Sequence, residues 1–426
     1  MIKDTKYTEL VIKGGKELEG EVIVSGAKNA ALPLLIAVAT SNMPVTLHNV
    51  PDISDIRIVC RMLERLGCKV NKNLKENYIH FDPKDLSLSR EDIFEGAADI
   101  RASTLFIGAL LERFGEVEIP LPGGDAIGKR PIDIHVFAFE KMGAITSYTK
   151  DTIIFKAPKG LHGGLMQLGF PSVGATENIM IAAARARGKT IIENAAREPE
   201  IINLAELLVS MGVKVRGAGT STIEIEGIKE FQEAEATIIP DRIELFTFLC
   251  AAGLTGGEII CKNVFSNVLG AESCFLEQVG IQLVWQGSDL TAKRKETGLK
   301  SFELSTGPFP EFSTDNQPMA LVVATQAHGK SSIKETMFEN RYRHADELNT
   351  MGAAIVHNRT DFDIEGGLPL RGAKVDIADI RAGACLVLAA LVADGESHLT
   401  SVYHILRGYQ DMDKKLAKLG ADIYFR

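Results

Sequence analysis

TENIMIAAARARGKTIIENAAREPEIINLAELLVSMGVKV, residues 176–215, carries most of one structural repeat. Asn178 to Arg187 is apolar nearly all round, the composition of a helix buried on every side. Gly188 stops it, and Thr190-Ile191-Ile192 follows with the β-branched residues of a short strand. A polar loop then leads into a second helix, which ends at Met211-Gly212-Val213 before another strand. The second stop recurs at Gly67, Gly143, Gly212, Gly280, Gly352 and Gly420, each after Leu, Met or Val, at spacings of 68 to 76 residues. The first stop recurs at Gly115, Gly188, Gly257, Gly329 and Gly395, at spacings of 66 to 73, with Met43-Pro44 in its place in the first copy. Two independent phases agree on one period, so positions in different copies can be compared directly.

Each copy reads β-α-β-α-β-β. The first helix is apolar throughout, as in Ser103-TLFIGALLERF and Ala384-CLVLAALVAD; the second is amphipathic, as in Ile56-RIVCRMLERL. A chain of 426 residues, 45% hydrophobic, is long enough for more than one core, and six copies divide into two sets of three. The predicted fold class is α/β: two domains, each three repeats arranged around buried helices with the sheets facing outward, an inside-out α/β barrel.

Composition narrows the function. A net charge of −9 opposes general nucleic-acid binding. Residues 1–6 lack a signal-peptide core, and the longest apolar run, Ala384 to Ala393, is about half a membrane span. The expectation is a cytoplasmic protein with neither membrane nor nucleic-acid partner. Six cysteines without a C-x-x-C pair and nine histidines without ligand spacing point to no metal site. Phosphate-loop, dinucleotide-binding and zinc-peptidase motifs are absent.

Polar residues gather where the buried helices begin: Ser25-Gly26-Ala27-Lys28-Asn29, Asp99-Ile100-Arg101, Ser172-Val173, Pro240-Asp241-Arg242, Ser313-Thr314-Asp315-Asn316 and Asp379-Ile380-Arg381. Ser, Thr, Asp and Asn there are expected helix caps, Asp99, Asp241 and Asp379 above all. Cations at a helix N-terminus oppose the dipole. Lys28, Arg101 and Arg381 are therefore read as anion ligands, the alternative being buried pairs with a neighbouring Asp. A second loop set follows the strand after the first stop, with Arg130 and Arg407 at matching places. Its second copy, Leu121-PGGDAIGKRPIDIH, has the glycine content of a loop that closes over substrate, or of an ordinary mobile surface loop.

Taken together, Gly20-EVIVSGAKNAALP, Leu121-PGGDAIGKRPIDIH, Ser172-VGATENIM, Ile192-ENAAREPEI, Pro240-DRIE, Thr314-Asp315, Phe338-ENR, Asp379-IRAGA and His404-Ile405 with Arg407-Gly408-Tyr409 resemble the enolpyruvyl transferases over nearly the whole chain. The resemblance implies domains at 28–240 and at 1–27 plus 241–426, with the N-terminal strand crossing into the second and the site in a cleft. It also implies transfer of the enolpyruvyl group of phosphoenolpyruvate to the 3-hydroxyl of UDP-N-acetylglucosamine without a cofactor, at the first committed step of peptidoglycan precursor synthesis. Such chemistry needs a cationic cradle, a base for the hydroxyl and an acid for the methylene carbon. Alternatives are a weakly catalytic paralogue or the sister reaction on shikimate 3-phosphate.

By the same resemblance, Lys28, Arg130 and Arg407 hold phosphoenolpyruvate, with Arg101 and Arg381 in or near the same site. Asn29, Arg101, Arg130, Pro131, Ile132, Asp133, Ile134, Ser172, Val173 and Met337 contact the sugar nucleotide, and Asp315 orients or deprotonates its hydroxyl. Lys28, Asp125, Asp315 and Arg407 form the implied catalytic set. Asp125 stands where most members carry a cysteine that donates the proton and is alkylated by fosfomycin, which implies fosfomycin resistance. Ser313, Leu245-Phe246, Leu406 and Gln410 depart from the usual pattern around these residues.

Overall fold

A computed structural model describes residues 7–73, 77–88, 100–121, 127–128, 131–266 and 268–426. The described residues divide into two compact units: those of 26–121 with 131–239, and those of 7–25 with 127–128 and 240–426. Each has its own hydrophobic core.

The inner helices of the first unit are α1 (Lys28–Ala37), α2 (Phe106–Phe114) and α3 (Val173–Ala183); those of the second are α4 (Arg242–Thr255), α5 (Gln317–Gln326) and α6 (Ile380–Val392). All of α4 from Arg242 to Leu254 and all of α6 from Ile380 to Leu391 are buried. Full burial of a Leu, Ile or Phe side chain contributes about 1.5–3 kcal/mol, so these helices are held by packing rather than by propensity.

Around each set lie three small sheets among the described residues. In Glu116–Pro120, Lys189–Glu193, Glu258–Lys262 and Glu396–Thr400, residues at the second and fourth positions are buried while those between face outward. One face covers the helices and the other meets water. Two sheets of the second unit take strands from the N-terminus. Gly20–Ile23 pairs in parallel with Glu258–Lys262, and Glu9–Lys13 lies antiparallel between Glu396–Thr400 and Asp422–Phe425.

The repeat glycines have a backbone cause. All six at the second stop have φ between 94° and 107°. In the first copy the Gly67 N–H bonds the Glu64 carbonyl and the Cys68 N–H bonds Leu63, which closes the outer helix with a left-handed cap. Gly212, Gly352 and Gly420 repeat the pattern. At the first stop one position shifts: in the fourth copy Gly256, not Gly257, is left-handed (φ 89°). Gly257 is required instead by close approach, since a Cβ there would lie 2.1 Å from the Leu18 carbonyl oxygen.

A third recurrence concerns the loops after the strands. Asn49, Asn194, Asn263 and Ser401 each follow a strand with φ between 55° and 59°. Asn tolerates this region better than most residues. In the fifth copy the residue after the strand Lys330–Lys334 is Glu335, which is not left-handed. No described helix is long and apolar enough to cross a membrane.

Candidate active site

In the second unit, two buried carboxylates build the loop that enters α5. Glu272, 1% exposed, accepts from the Ser313 N–H and from Asn316 Nδ2, both at 3.0 Å. Glu335, 2% exposed, accepts from the Thr306 and Thr314 hydroxyls (3.1 and 2.9 Å) and from the Met337 and Phe338 N–H groups (2.7 and 3.1 Å). Between them Ser313 caps the short turn Thr314–Asn316. Asp315 is thereby fixed from both sides of its own loop.

Its carboxylate meets two arginines. Oδ1 accepts from Arg341 Nη1 at 2.9 Å, and Oδ2 accepts from Arg381 Nε and Nη2 at 3.2 and 3.1 Å. Burial alone would raise the Asp315 carboxyl, but Arg381, then Arg341 and Arg242, override it and hold it well below the usual carboxylate range. Arg341 also donates to Thr314 Oγ1 at 2.9 Å. Arg381 sits 5.9 Å from the Tyr409 ring centroid, and the Tyr409 hydroxyl lies 3.1 Å from Thr247 Oγ1. Burial, opposed by Arg381, pushes that phenol up to about 12.

Arg381 occupies the first turn of α6, where a cation is disfavoured. The cap residue Asp379 accepts from the Arg381 and Ala382 N–H groups, as expected from sequence, and Asp315 supplies the compensating charge. Two of the Arg381 nitrogens are thus engaged by a carboxylate distant in sequence, not by a neighbouring Asp. Its Nη1 and the Arg341 Nε are buried and make no hydrogen bond to a described residue.

In the first unit Lys28 opens α1, 8% exposed, with its Nζ 2.7 Å from Asp55 Oδ2 on the outer helix Ser54–Arg65. Asn29 beside it is half-buried. Pro33, inside α1, has no N–H to give the Asn29 carbonyl. Arg101 begins a short turn leading into α2, and its Nη2 donates to the Pro131 carbonyl at 3.1 Å. Pro131 and Ile132 lead into the helix Asp133–Lys141, whose first two residues are Asp133 and Ile134, and Ser172 Oγ caps α3 by accepting from the Ala175 N–H at 3.3 Å. Val173 is the first residue of α3 and is half-buried.

The structure therefore brings Arg101 to the Pro131 segment in one unit, and Asp315 to Arg381 in the other. Met337 is fixed through its N–H to Glu335. Arg407 follows the short helix Tyr403–Leu406 and is half-buried. Asp125 and Arg130, and the expected cap Asp99, lie outside the described residues. Sequence reasoning assigned no role to Asp55, Glu272, Glu335 or Arg341. Arg341 was within reach, because it ends the Phe338-ENR motif.

The family profile described as EPSP synthase (3-phosphoshikimate 1-carboxyvinyltransferase) matches residues 12–416. The chain is 44% identical over 413 residues to UDP-N-acetylglucosamine 1-carboxyvinyltransferase of Finegoldia magna, covering 97% of both chains. It is 43% identical over 415 residues to the protein of that name from Halothermothrix orenii, covering 97% of this chain and 99% of the relative. Among solved structures, the enolpyruvyl transferase NikO from Streptomyces tendae superposes with a TM-score of 0.89 at 24% identity, covering 99% of each chain. EPSP synthase from Acinetobacter baumannii does so at 0.77 and 17% identity, covering 98% of this chain and all of that one; these two show the shared fold. With a family match over nearly its whole length and relatives at this identity, the chain belongs to the enolpyruvyl transferases, in the branch of the UDP-N-acetylglucosamine 1-carboxyvinyltransferases.

Proposed function

We propose that this protein transfers the enolpyruvyl group of phosphoenolpyruvate to the 3-hydroxyl of UDP-N-acetylglucosamine and releases phosphate, in the cytoplasm, at the first committed step of peptidoglycan synthesis. The observation that carries this reading is the near full-length identity of 41–44% to proteins of that name. The geometry suits the chemistry. The sugar hydroxyl passes its proton to Asp315 as its oxygen bonds to C2 of the enol and C3 takes a proton, giving a tetrahedral adduct. C3 then loses a proton as the C2–O bond to phosphate breaks, and phosphate leaves with that electron pair.

In this scheme Lys28, Arg130 and Arg407 neutralise the phosphate and carboxylate of phosphoenolpyruvate. Asn29, Arg101, Pro131 to Ile134, Ser172, Val173 and Met337 position the sugar nucleotide. Asp315 stays ionised between Arg341 and Arg381, so it serves the hydroxyl as a fixed hydrogen-bond acceptor. A carboxyl held this low is a weak base until attack on C2 has acidified the hydroxyl. Asp125 delivers the proton to C3.

The test is phosphate release from phosphoenolpyruvate by the purified protein, with and without UDP-N-acetylglucosamine. Release that depends on the sugar nucleotide is expected. Release with shikimate 3-phosphate instead, or none with either acceptor, overturns the assignment.

A further inference from the structure

Asn178, on α3 and 1% exposed, ties together three segments of the first unit. Its Nδ2 donates to the Thr104 carbonyl at 2.9 Å, and Thr104 in turn donates its hydroxyl to the Arg101 carbonyl at 3.0 Å. Its Oδ1 accepts from the Gly108 N–H on α2 at 2.9 Å. The same Nδ2 lies 3.0 Å from Nδ1 of His135, on the helix Asp133–Lys141. His135 is 5% exposed. The far edge of its ring packs over the first turn of α3, with Nε2 3.7 Å from where a Cβ on Gly174 would stand.

These contacts fix the protons. Turning the Asn178 amide over would set Oδ1 against the Thr104 carbonyl and the NH₂ group against the Gly108 N–H, so the backbone decides its orientation. Both Nδ2 hydrogens are then assigned, one to Thr104 and one to His135. Nδ1 of His135 must accept, and its proton must be on Nε2. Burial first, then Arg101, pushes the imidazole down to about 4, against the weaker pull of Asp133.

The segments so joined are those assigned above to the sugar nucleotide: Arg101, Pro131 to Ile134, and Ser172 with Val173. We propose that Asn178 and His135 form a positioning node that sets the register of these segments, with His135 fixed as the neutral Nε2–H tautomer. Neither residue has to touch a reacting atom for this. The node rests on the proposed function for its substrate, though its proton assignment does not.

Two measurements on the full chain test it. In protein labelled with ¹⁵N-histidine, long-range nitrogen–proton spectra should show His135 with Nδ1 bare and Nε2 protonated from about pH 5.5 to about pH 8.5. An Nδ1–H tautomer, or a protonation midpoint inside that range, overturns the node. In kinetics, His135→Leu removes the acceptor and should raise KM for UDP-N-acetylglucosamine about tenfold with KM for phosphoenolpyruvate nearly unchanged. His135→Asn returns an oxygen to the Nδ1 position and should recover most of the loss. Equal loss in both variants, or a rise in both KM values together, also overturns it. If wild-type protein shows no release dependent on UDP-N-acetylglucosamine, the function fails, and the spectra still decide the node.

Discussion

Asp315 gives one carboxylate oxygen to Arg341 and the other to Arg381, at 2.9 and 3.1 Å, and both arginine side chains are within 5% of complete burial. The carboxylate is thus a structural counter-charge, whatever it does for the substrate in the proposed reaction. Its depressed pKa makes a contribution to stability that is present above the unfolded value near pH 4 and is lost as pH falls through the folded value. Asp315→Asn should therefore be less stable than wild type at neutral pH by roughly 3 kcal/mol, because two buried guanidinium groups lose their partner. Urea unfolding at a series of pH values should show the gap closing below about pH 4. A gap unchanged in acid contradicts the clamp.

A second buried pair behaves with the opposite sign. Glu244, 2% exposed, contacts Lys415 Nζ at 2.5 Å and accepts from the Ser25 N–H at 2.7 Å. Burial raises its carboxyl despite Lys415. An acid raised in the folded state loses stability as pH rises from its unfolded value through its folded one. Lys415→Met removes the opposing charge, so the melting temperature should fall more at pH about 8 than at pH about 5. Equal falls at both would discount the ion pair.

Helix propensity says that Gly→Ala inside a helix stabilises by about 0.5–1 kcal/mol. Gly108 in α2 should do the reverse. A Cβ there would lie 2.5 Å from both the carbonyl and side-chain oxygens of Asn178, and overpacking of this kind costs about 1–3 kcal/mol. Chemical denaturation of Gly108→Ala measures the sign directly.

The proposed role of Asp125 puts a carboxyl where a cysteine would supply a soft nucleophile. Fosfomycin should give no time-dependent inactivation of the wild type, and Asp125→Cys should become sensitive; mass spectrometry of the treated proteins reads this. An Asp with a reference pKa near 4, against about 8.5 for Cys, must be held protonated to act as the acid. Rate should then fall at a lower pH than in Asp125→Cys, and superimposable profiles would remove Asp125 from that role.

The repeat was legible because its cause is local. A left-handed glycine ends each outer helix, and an all-apolar run marks each inner one, so both can be read without knowing what they pack against. Capping by Asp241 and Asp379 was legible for the same reason. The network around Asp315 was not. Glu272 and Arg341 acquire their roles from partners more than twenty residues away, as Glu335 does from Thr306 and Thr314, and a carboxylate in the sequence does not show whether such hydroxyl and amide donors will reach it. The partner of Lys28 is Asp55 for a comparable reason: sequence shows which cation violates the dipole, while only packing shows which carboxylate answers it.

The strand Glu9–Lys13 is made early and waits for Asp422–Phe425, the strand of its sheet that is synthesised last. During translation the first unit has all its described strands once Thr237 is out, whereas the N-terminal strands remain two open β edges. Closing them is a contact of very long sequence separation, which slows folding. Removing residues 7–25 should therefore damage the unit built mostly from the other end of the chain, and a slow final folding phase should report on Glu9–Lys13 rather than on the segment that follows it.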